Sequence, residues 1–161
     1  MAHSPDGRAD GFESFYVRLW PTTCRLGAVL TGHVDIGEDI AQEAFLRVRE
    51  RFDSLDTPEA YIRRTLINLA KTEATSAARR HVREARAAAH GVSSATELRD
   101  EVVLDAMKRL PFEQRSALVL RYWADWCDES IAEALGCRRA TVRSHVRRGL
   151  MRLRAELEDK E

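Results

Sequence analysis

An arginine-rich stretch near the carboxyl end is the first feature of this chain that could bind a charged ligand. Seven arginines and no acidic residue occur from Arg138 to Arg154. At about 100° per residue, one narrow apolar stripe remains on a helix there, made up of Val142, Val146, Leu150, Leu153 and Leu157. The arginines would then face outward, where guanidinium groups can donate to guanine edges and phosphates. If these arginines served only to keep an exposed helix soluble, acidic residues would be expected among them. Their absence favours a DNA-binding helix.

A short apolar segment just before this stretch supplies the other half of a DNA-binding unit. Ile131, Ala132 and Leu135 have the spacing of one buried helical face. Gly136 follows them, at the place where a left-handed residue commonly ends a helix. The pattern over residues 128–155 therefore predicts a helix-turn-helix. Asp128 is expected to cap its first helix.

The residue types that carry out enzymatic chemistry are not grouped in this sequence. Glu38 and Asp39 are adjacent, so on a helix they would point about 100° apart. There is no Ser/His/Asp grouping, no glycine-rich phosphate loop and no HExxH motif. Cys24, Cys127 and Cys137 form no CxxC pair and predict small, buried, reduced thiols. We therefore expect a protein that is not an enzyme and that needs no metal and no cofactor.

The charge of the chain is balanced in total but unevenly distributed. It has 26 basic and 26 acidic residues, and the net charge is −5, +5, −3 and +3 over residues 1–60, 61–90, 91–130 and 131–161. Two cycles of acidic and then basic surface predict two units that each have a basic side. The polar start has no apolar core of a signal peptide, and no apolar run approaches the ~18–20 residues of a membrane span. We expect a soluble, cytoplasmic protein with no membrane segment.

Helical spacing dominates the rest of the chain. An apolar segment covers Phe12–Leu30, with Pro21 as an interruption or a helix start, and Thr31–Gly32 predicts a turn. Asp35 stands three residues before Glu38, which predicts a capping-box start for the next helix.

A further helix is predicted after Thr57, because Thr is a good N-cap and Pro58 fits the first helical position. This helix is expected to end near Arg79–Arg80, and the segment after it has no apolar stripe. The predicted fold class is all-α, with two small helical domains at residues 10–80 and 98–158 and a flexible linker at 81–97.

Four ordered motifs connect these elements to a known family. They are GEDIAQEAF at 37–45, PEAYIRRTLINLA at 58–70, LPFEQRSALVLRY at 110–122 and IAEALGCRRATVRSH at 131–145. Together they resemble the extracytoplasmic-function (ECF) subfamily of sigma-70 factors, most closely the short actinobacterial two-domain type. The resemblance implies a sigma subunit of bacterial RNA polymerase, with a region 2 domain, a region 4 domain and no cofactor.

The resemblance also implies which surface binds which partner. Region 2.2 would bind the β′ clamp of core polymerase through Asp39, Gln42, Glu43 and Arg47. Regions 2.3 and 2.4 would bind the −10 element through Arg63, Arg64, Asn68, Lys71, Arg79 and Arg80, while Tyr61 is expected in the core. Region 4.2 would read the −35 element through Arg138, Arg139, Thr141, Arg143, Ser144, Arg147 and Arg148. Residues 98–123 would dock on the β flap, and an anti-sigma factor is expected as a further partner.

The sequence departs from the family pattern after Ala70. Relatives usually carry Asp, an aromatic residue and several arginines there, whereas residues 71–75 read KTEAT. The other interpretation of the chain is a free-standing helix-turn-helix regulator that binds duplex DNA alone. Such a regulator would not need the polar faces predicted in residues 39–47 and 63–71, which favours the sigma interpretation.

Overall fold

The computed structural model describes residues 11–84 and 98–158, with side chains described at 11–76 and 102–158. Its helices are α1 (Phe12–Thr31), α2 (Val34–Arg51), α3 (Pro58–Glu84), α4 (Leu98–Lys108), α5 (Phe112–Leu118), α6 (Asp128–Leu135) and α7 (Arg139–Glu158). A 3-10 turn at Phe52–Ser54 follows α2, and a π-helical segment at Val119–Trp123 continues α5. No strand occurs within the described ranges, and the all-α prediction is confirmed. None of the helices described is long and apolar enough to cross a membrane.

Helix α1 runs through Pro21 without a break, so the expected interruption or restart there was wrong. A proline inside a helix leaves the carbonyl four residues earlier without its N–H partner. Here Pro21 is exposed and Val17 is 67% exposed, so water can reach that carbonyl. The helix ends as predicted at Gly32, whose φ of 81° is left-handed.

Helix α2 begins at Val34 rather than with a capping box at Asp35. His33 is its N-cap, and the carbonyl of His33 accepts the first backbone bond from Gly37 at 2.9 Å. Because the backbone of His33 is extended and the helix already begins at Val34, Asp35 lies in the first turn, and no side-chain cap bond forms at this helix start. A carboxylate at that position still interacts favourably with the helix dipole.

The first two helices cross at a point where only glycine fits. A Cβ on Gly37 would lie 2.3 Å from the backbone nitrogen of Ala28, and a Cβ on Gly27 would lie 2.7 Å from the carbonyl oxygen of Gly37. Farther along the same two helices, Phe45 of α2 packs edge-on against Phe15 and Tyr16 of α1. These aromatic residues form part of the core of the amino-terminal half.

Helix α3 starts at Pro58 as predicted but extends to Glu84, beyond the expected end near Arg79–Arg80. Its alanine-rich sequence favours continued helix. Its buried side is formed by Ile62, Leu66, Ile67 and Ala70. Tyr61 is half-buried and packs against the core, as expected. The predicted linker therefore begins as helix, and residues 85–97 lie outside the described part of the chain.

The core of the carboxyl-terminal half includes Ile131, Leu135, Val142 and Val146, as predicted. Leu150 is 43% exposed, so its place in the apolar stripe was wrong. Gly149 takes that place, since a Cβ there would lie 3.0 Å from Leu118 Cδ1. Helix α7 lies so close to α5 at this turn that the buried position is Gly149, three residues after Val146, and not Leu150, four residues after it.

The two halves pack against each other through α3 with α6 and through α1 with α4 and α5. Their buried apolar residues belong to one cluster. The expected domain boundaries at 10–80 and 98–158 stay a prediction.

Candidate nucleic-acid interface

The helix-turn-helix predicted from the sequence is formed by α6 and α7. Gly136, at φ 65°, ends α6, and the N–H of Cys137 donates to the carbonyl of Ala132 at 2.9 Å. Helix α7 then begins at Arg139, and Val142 and Val146 anchor it to the core. The geometry is that of two helices joined by a short glycine turn.

All seven residues predicted on the recognition helix or its turn lie within three turns of one another. Five side chains are exposed and two are half-buried: Arg138, Arg139, Arg143, Arg147 and Arg148 in the first group, and Thr141 and Ser144 in the second. Within the described part of the chain, no ion pair is found for Arg138, Arg147 or Arg148. This surface therefore presents uncompensated positive charge, which suits a polyanion.

Two of these arginines are held by the start of α6. The Asp128 carboxylate, whose side chain is 13% exposed, accepts a bond from Arg143 Nε at 3.1 Å and another from Arg121. Arg139 pairs with Glu129 at 2.8 Å. The expectation that Asp128 caps α6 was wrong, because Cys127 is the N-cap and no side-chain cap bond forms. Asp128 instead orients an arginine of the recognition helix, which sequence spacing did not reveal.

A second polar face runs along α3. Arg63, Arg64, Asn68 and Lys71 are all exposed there, within nine residues of one helix. The backbones of Arg79 and Arg80 continue the same helix, but their side chains lie outside the described residues. The predicted −10 residues with described side chains therefore lie together.

Each of three cations on this face has a partner in the carboxyl-terminal half. The Arg63 guanidinium lies 5.9 Å from the centre of the Trp126 ring. Arg64 pairs with Glu133 at 3.4 Å, and Lys71 Nζ donates to the carbonyl of Leu135 at 3.4 Å. An open cleft of about 790 Å³ separates the start of α3 from α6.

Cys127 lines this cleft and is exposed, so the expectation of a buried thiol was wrong at this position. Its Sγ lies 3.2 Å from Ser130 Oγ. The hydrogen bond from Ser130 lowers the pKa of the Cys127 thiol. Cys24 and Cys137 are half-buried, and desolvation raises the pKa of each of them. All three thiols are free.

A third surface is the outer face of α2, where all four predicted polymerase-binding residues are exposed: Asp39, Gln42, Glu43 and Arg47. Glu43 and Arg47 form an i,i+4 pair at 2.8 Å. Leu46 is 47% exposed beside them and forms a shallow apolar hollow with Phe12 and Tyr16. The prediction missed Leu46, although an apolar residue between polar positions off the buried stripe was a visible signal.

Comparisons with known proteins identify the family and the fold of this chain. The family described as sigma-70, region 4, matches residues 100–153. The "RNA polymerase sigma-E factor" of Streptomyces avermitilis is 35% identical over 130 residues, which cover 77% of this chain and 72% of that protein. The protein of the same name from Streptomyces coelicolor is 34% identical over 126 residues, covering 74% and 71%.

A solved structure has the same fold. It is the sigma factor RpoE from Bartonella quintana in complex with the anti-sigma factor NepR. The TM-score is 0.76 at 21% sequence identity, and the match covers 91% of this chain and 96% of that one.

Proposed function

This chain belongs to the sigma-70 family as an ECF-type RNA polymerase sigma factor, and we propose that it recognises promoters through the α7 and α3 faces described above. Sigma factors supply the promoter specificity that core polymerase lacks. The observation that supports the assignment of surfaces is the arginine-rich surface of α7 on a helix-turn-helix, where Arg138, Arg147 and Arg148 have no ion pair among the residues described. Helix-turn-helix proteins place this second helix in the major groove.

For the −35 element, α7 supplies both kinds of contact that duplex recognition requires. Its first turns hold Arg143 and Arg147, whose guanidinium groups can donate in pairs to guanine O6 and N7. Arg138, Arg139 and Arg148 would hold phosphates, while Thr141 and Ser144 offer hydroxyl groups. Phosphate contacts set the register of the helix, and base contacts supply the specificity.

For the −10 element, the α3 face would bind a separated strand. Cations follow the backbone of single-stranded DNA, and aromatic or amide groups contact its bases. Arg63, Arg64 and Lys71 are the cations and Asn68 is the amide, with Arg79 and Arg80 further along the helix. Because residues 71–75 read KTEAT, this face carries fewer cations than its relatives usually do.

Core polymerase would bind both halves of the chain. The α2 face, with Asp39, Gln42, Glu43 and Arg47 around Leu46, suits the β′ clamp because it combines charged pairs with an apolar hollow. In the carboxyl-terminal half, Tyr122 and Trp123 are 64% and 44% exposed at the end of the π-helical segment. Exposed aromatic side chains of this size commonly mark a protein interface, and they suit the β flap.

The remaining roles follow from family membership. An anti-sigma factor is proposed as a partner in trans, since the RpoE structure of the same fold contains one. The chain would act in the cytoplasm, where polymerase and chromosome meet, and it would contribute binding without catalysis of its own. A free-standing regulator is not favoured, because it would leave the α2 and α3 faces without a role.

Transcript mapping tests this function. Purified core polymerase is supplied with fragmented genomic DNA, with and without this protein, and the 5′ ends of the transcripts are sequenced. New start sites that share two upstream elements are expected only when the protein is present. Transcripts identical to those of core polymerase alone would contradict the proposal.

A further inference from the structure

The first turn of α6 holds one carboxylate between two arginines. Asp128 accepts a hydrogen bond from Arg121 Nη2 at its Oδ1 and another from Arg143 Nε at its Oδ2. The side chain of Asp128 is only 13% exposed, whereas those of Arg121 and Arg143 are 34% and 65% exposed. One negative charge is therefore shared by two positive charges. Because both of its oxygens accept charge-assisted bonds, the carboxylate has a fixed orientation.

The π-helical segment that continues α5 determines where Arg121 lies. A π-helical turn is rare and is commonly found at functional sites. Here the N–H of Ala124 donates to the carbonyl of Val119 at 3.0 Å. Asp125 follows with a left-handed φ of 57°, and α6 begins at Asp128. This turn brings Arg121 into contact with Asp128, whereas a continuous helix would separate the two residues by about 10 Å along its axis.

Arg121 has no other polar partner among the side chains that the structure describes. Its Nε is buried and accepts no bonding partner there, so the guanidinium is held through its bond to Asp128. A buried N–H without a hydrogen bond costs free energy. An apolar residue at this position would avoid that cost, so close packing alone does not account for an arginine here.

The orientation of the carboxylate determines how much of Arg143 remains free. A carboxylate with two unoccupied oxygens commonly pairs with arginine through two parallel N–H···O bonds. Such a pair would occupy the Nε and one Nη group of Arg143. Here Oδ1 of Asp128 is bonded to Arg121, and Arg143 bonds the carboxylate through Nε only. Both Nη groups of Arg143 therefore stay available for the two acceptors of a guanine, O6 and N7.

We propose that Arg121 is a positioning residue that keeps Arg143 in the form that can read a base pair. This inference rests on the proposed function and adds to it a residue outside the recognition helix. Without Arg121, Oδ1 of Asp128 would turn to Arg143 and bond one of its Nη groups, which leaves a single Nη group for the base. This competition is strongest in the DNA complex, because water leaves the surface on docking and charged groups then interact more strongly.

The test compares the wild-type chain with Arg121→Met and Arg143→Ala, each assembled with core polymerase. Binding is measured to a set of promoters that differ in single −35 base pairs. Arg143→Ala is expected to lose discrimination at one base pair. Arg121→Met is expected to lose about fivefold at that same base pair, which corresponds to about one hydrogen bond, and to keep the preference at the others. General damage to the fold would instead reduce discrimination at every base pair.

Further variants separate the orientation of Arg143 from the loss of a charge. Arg121→Lys keeps a cation beside Oδ1 and is expected to retain most of the discrimination. Arg154→Met is the matched control, because it removes one positive charge from α7 itself at a residue whose partner is Glu158 of the same helix. Its profile should match that of the wild type. In the Asp128→Ala background, Arg121→Met should cause no further loss, since the carboxylate through which it acts is absent.

Nitrogen NMR of the free wild-type protein tests the same arrangement without a change at Arg121. Rotation about the Cζ–Nε bond exchanges the two Nη groups of an arginine, and a two-bond pair with a carboxylate slows this rotation. The Nη groups of Arg143, assigned by their loss in Arg143→Lys, are expected to give one averaged signal. In Arg121→Met they should give two. If circular dichroism shows that Arg121→Met loses helix, the wild-type spectrum decides, and two separate Nη signals there would overturn the inference.

The promoter measurements distinguish failure of this inference from failure of the proposed function. If the wild-type holoenzyme prefers an intact −35 element while Arg121→Met has the wild-type profile, or loses discrimination equally at all base pairs, the positioning role is wrong and the sigma function stands. The positioning role is also wrong if Arg143→Ala relaxes no single base pair. If the wild-type holoenzyme has no −35 preference, the proposed recognition by α7 fails, and the positioning role fails with it.

Discussion

Asp128 holds Arg143 by a hydrogen bond of 3.1 Å between Oδ2 and Nε. The other carboxylate oxygen accepts from Arg121, so Asp128 is itself fixed by the π-helical segment. Within the described residues, no partner bonds the two Nη groups of Arg143. These two groups form the end-on fork that reaches guanine O6 and N7. The pair therefore orients Arg143 through its Nε and leaves its two Nη groups available to contact a base.

Asp128→Ala is expected to weaken −35 recognition by about 1 kcal/mol, because Arg143 loses its orienting bond. The measurement is binding of the holoenzyme to a set of promoters that differ in single −35 base pairs. The predicted signature is reduced discrimination at one base pair rather than a uniform loss. Glu129→Ala is the control, because its pair with Arg139 is exposed and contributes little. Equal selectivity profiles for the two variants would refute the orienting role.

Replacing Gln42 and Glu43 of the α2 face with Ala is expected to weaken binding to core polymerase. Both side chains are exposed, and the lost pair with Arg47 should change the free energy of unfolding by no more than about 0.5 kcal/mol. Pull-down with core polymerase and urea unfolding measure the two effects. Glu50→Ala, an exposed change later in the same helix, is the comparison. Wild-type affinity for core polymerase would count against the clamp assignment.

Gly37→Ala is expected to lower the free energy of unfolding by about 1–3 kcal/mol, since its methyl group would lie 2.3 Å from the nitrogen of Ala28. Helices α1 and α2 would have to separate to accept it. Gly11→Ala is the control, because nothing lies within 4 Å of its added Cβ. Urea unfolding followed by circular dichroism measures both variants. Equal stabilities would show that the close crossing of the helices is not required.

Cys127 is expected to react with iodoacetamide at lower pH than Cys24 does. The bond from Ser130 lowers the pKa of the Cys127 thiol, whereas burial raises that of Cys24. The thiolate is the nucleophile, so the rate at Cys127 should rise through a lower pH window. Mass spectrometry of peptides labelled across a pH series measures this order. Ser130→Ala should move the Cys127 profile to higher pH, and an unchanged profile would exclude the bond as the cause.

Helix ends that depend on one residue's own backbone preference could be predicted from the sequence. Gly32 and Gly136 are left-handed where the pattern placed helix ends, and Pro58 begins α3. These are local effects, because glycine accepts positive φ and proline suits the first helical position. The arginine surface of α7 could be predicted for a related reason, since helical periodicity alone sorts apolar from charged positions.

Features that depend on a neighbour distant in sequence could not be predicted. Arg115 bonds a backbone carbonyl 85 residues earlier, and a carbonyl has no sequence signature. Leu150 has the right spacing for the core, but the close approach of Leu118 gives the buried position to Gly149. In each case tertiary packing determines which group is bonded or which residue is buried, and local spacing in the sequence cannot distinguish the candidates.

Run-off transcription with core polymerase on a promoter with an intact or a scrambled −35 element tests promoter recognition by α7 most directly. Wild-type protein is compared with Arg143→Ala, Arg147→Ala and the control Arg154→Ala, which lies later on the helix beside Glu158. Each of the first two changes is expected to cost about 1–3 kcal/mol on the intact promoter and little on the scrambled one. The control should retain the wild-type preference. Promoter selection unchanged in both recognition variants, or no wild-type transcription above core polymerase alone, would contradict the account.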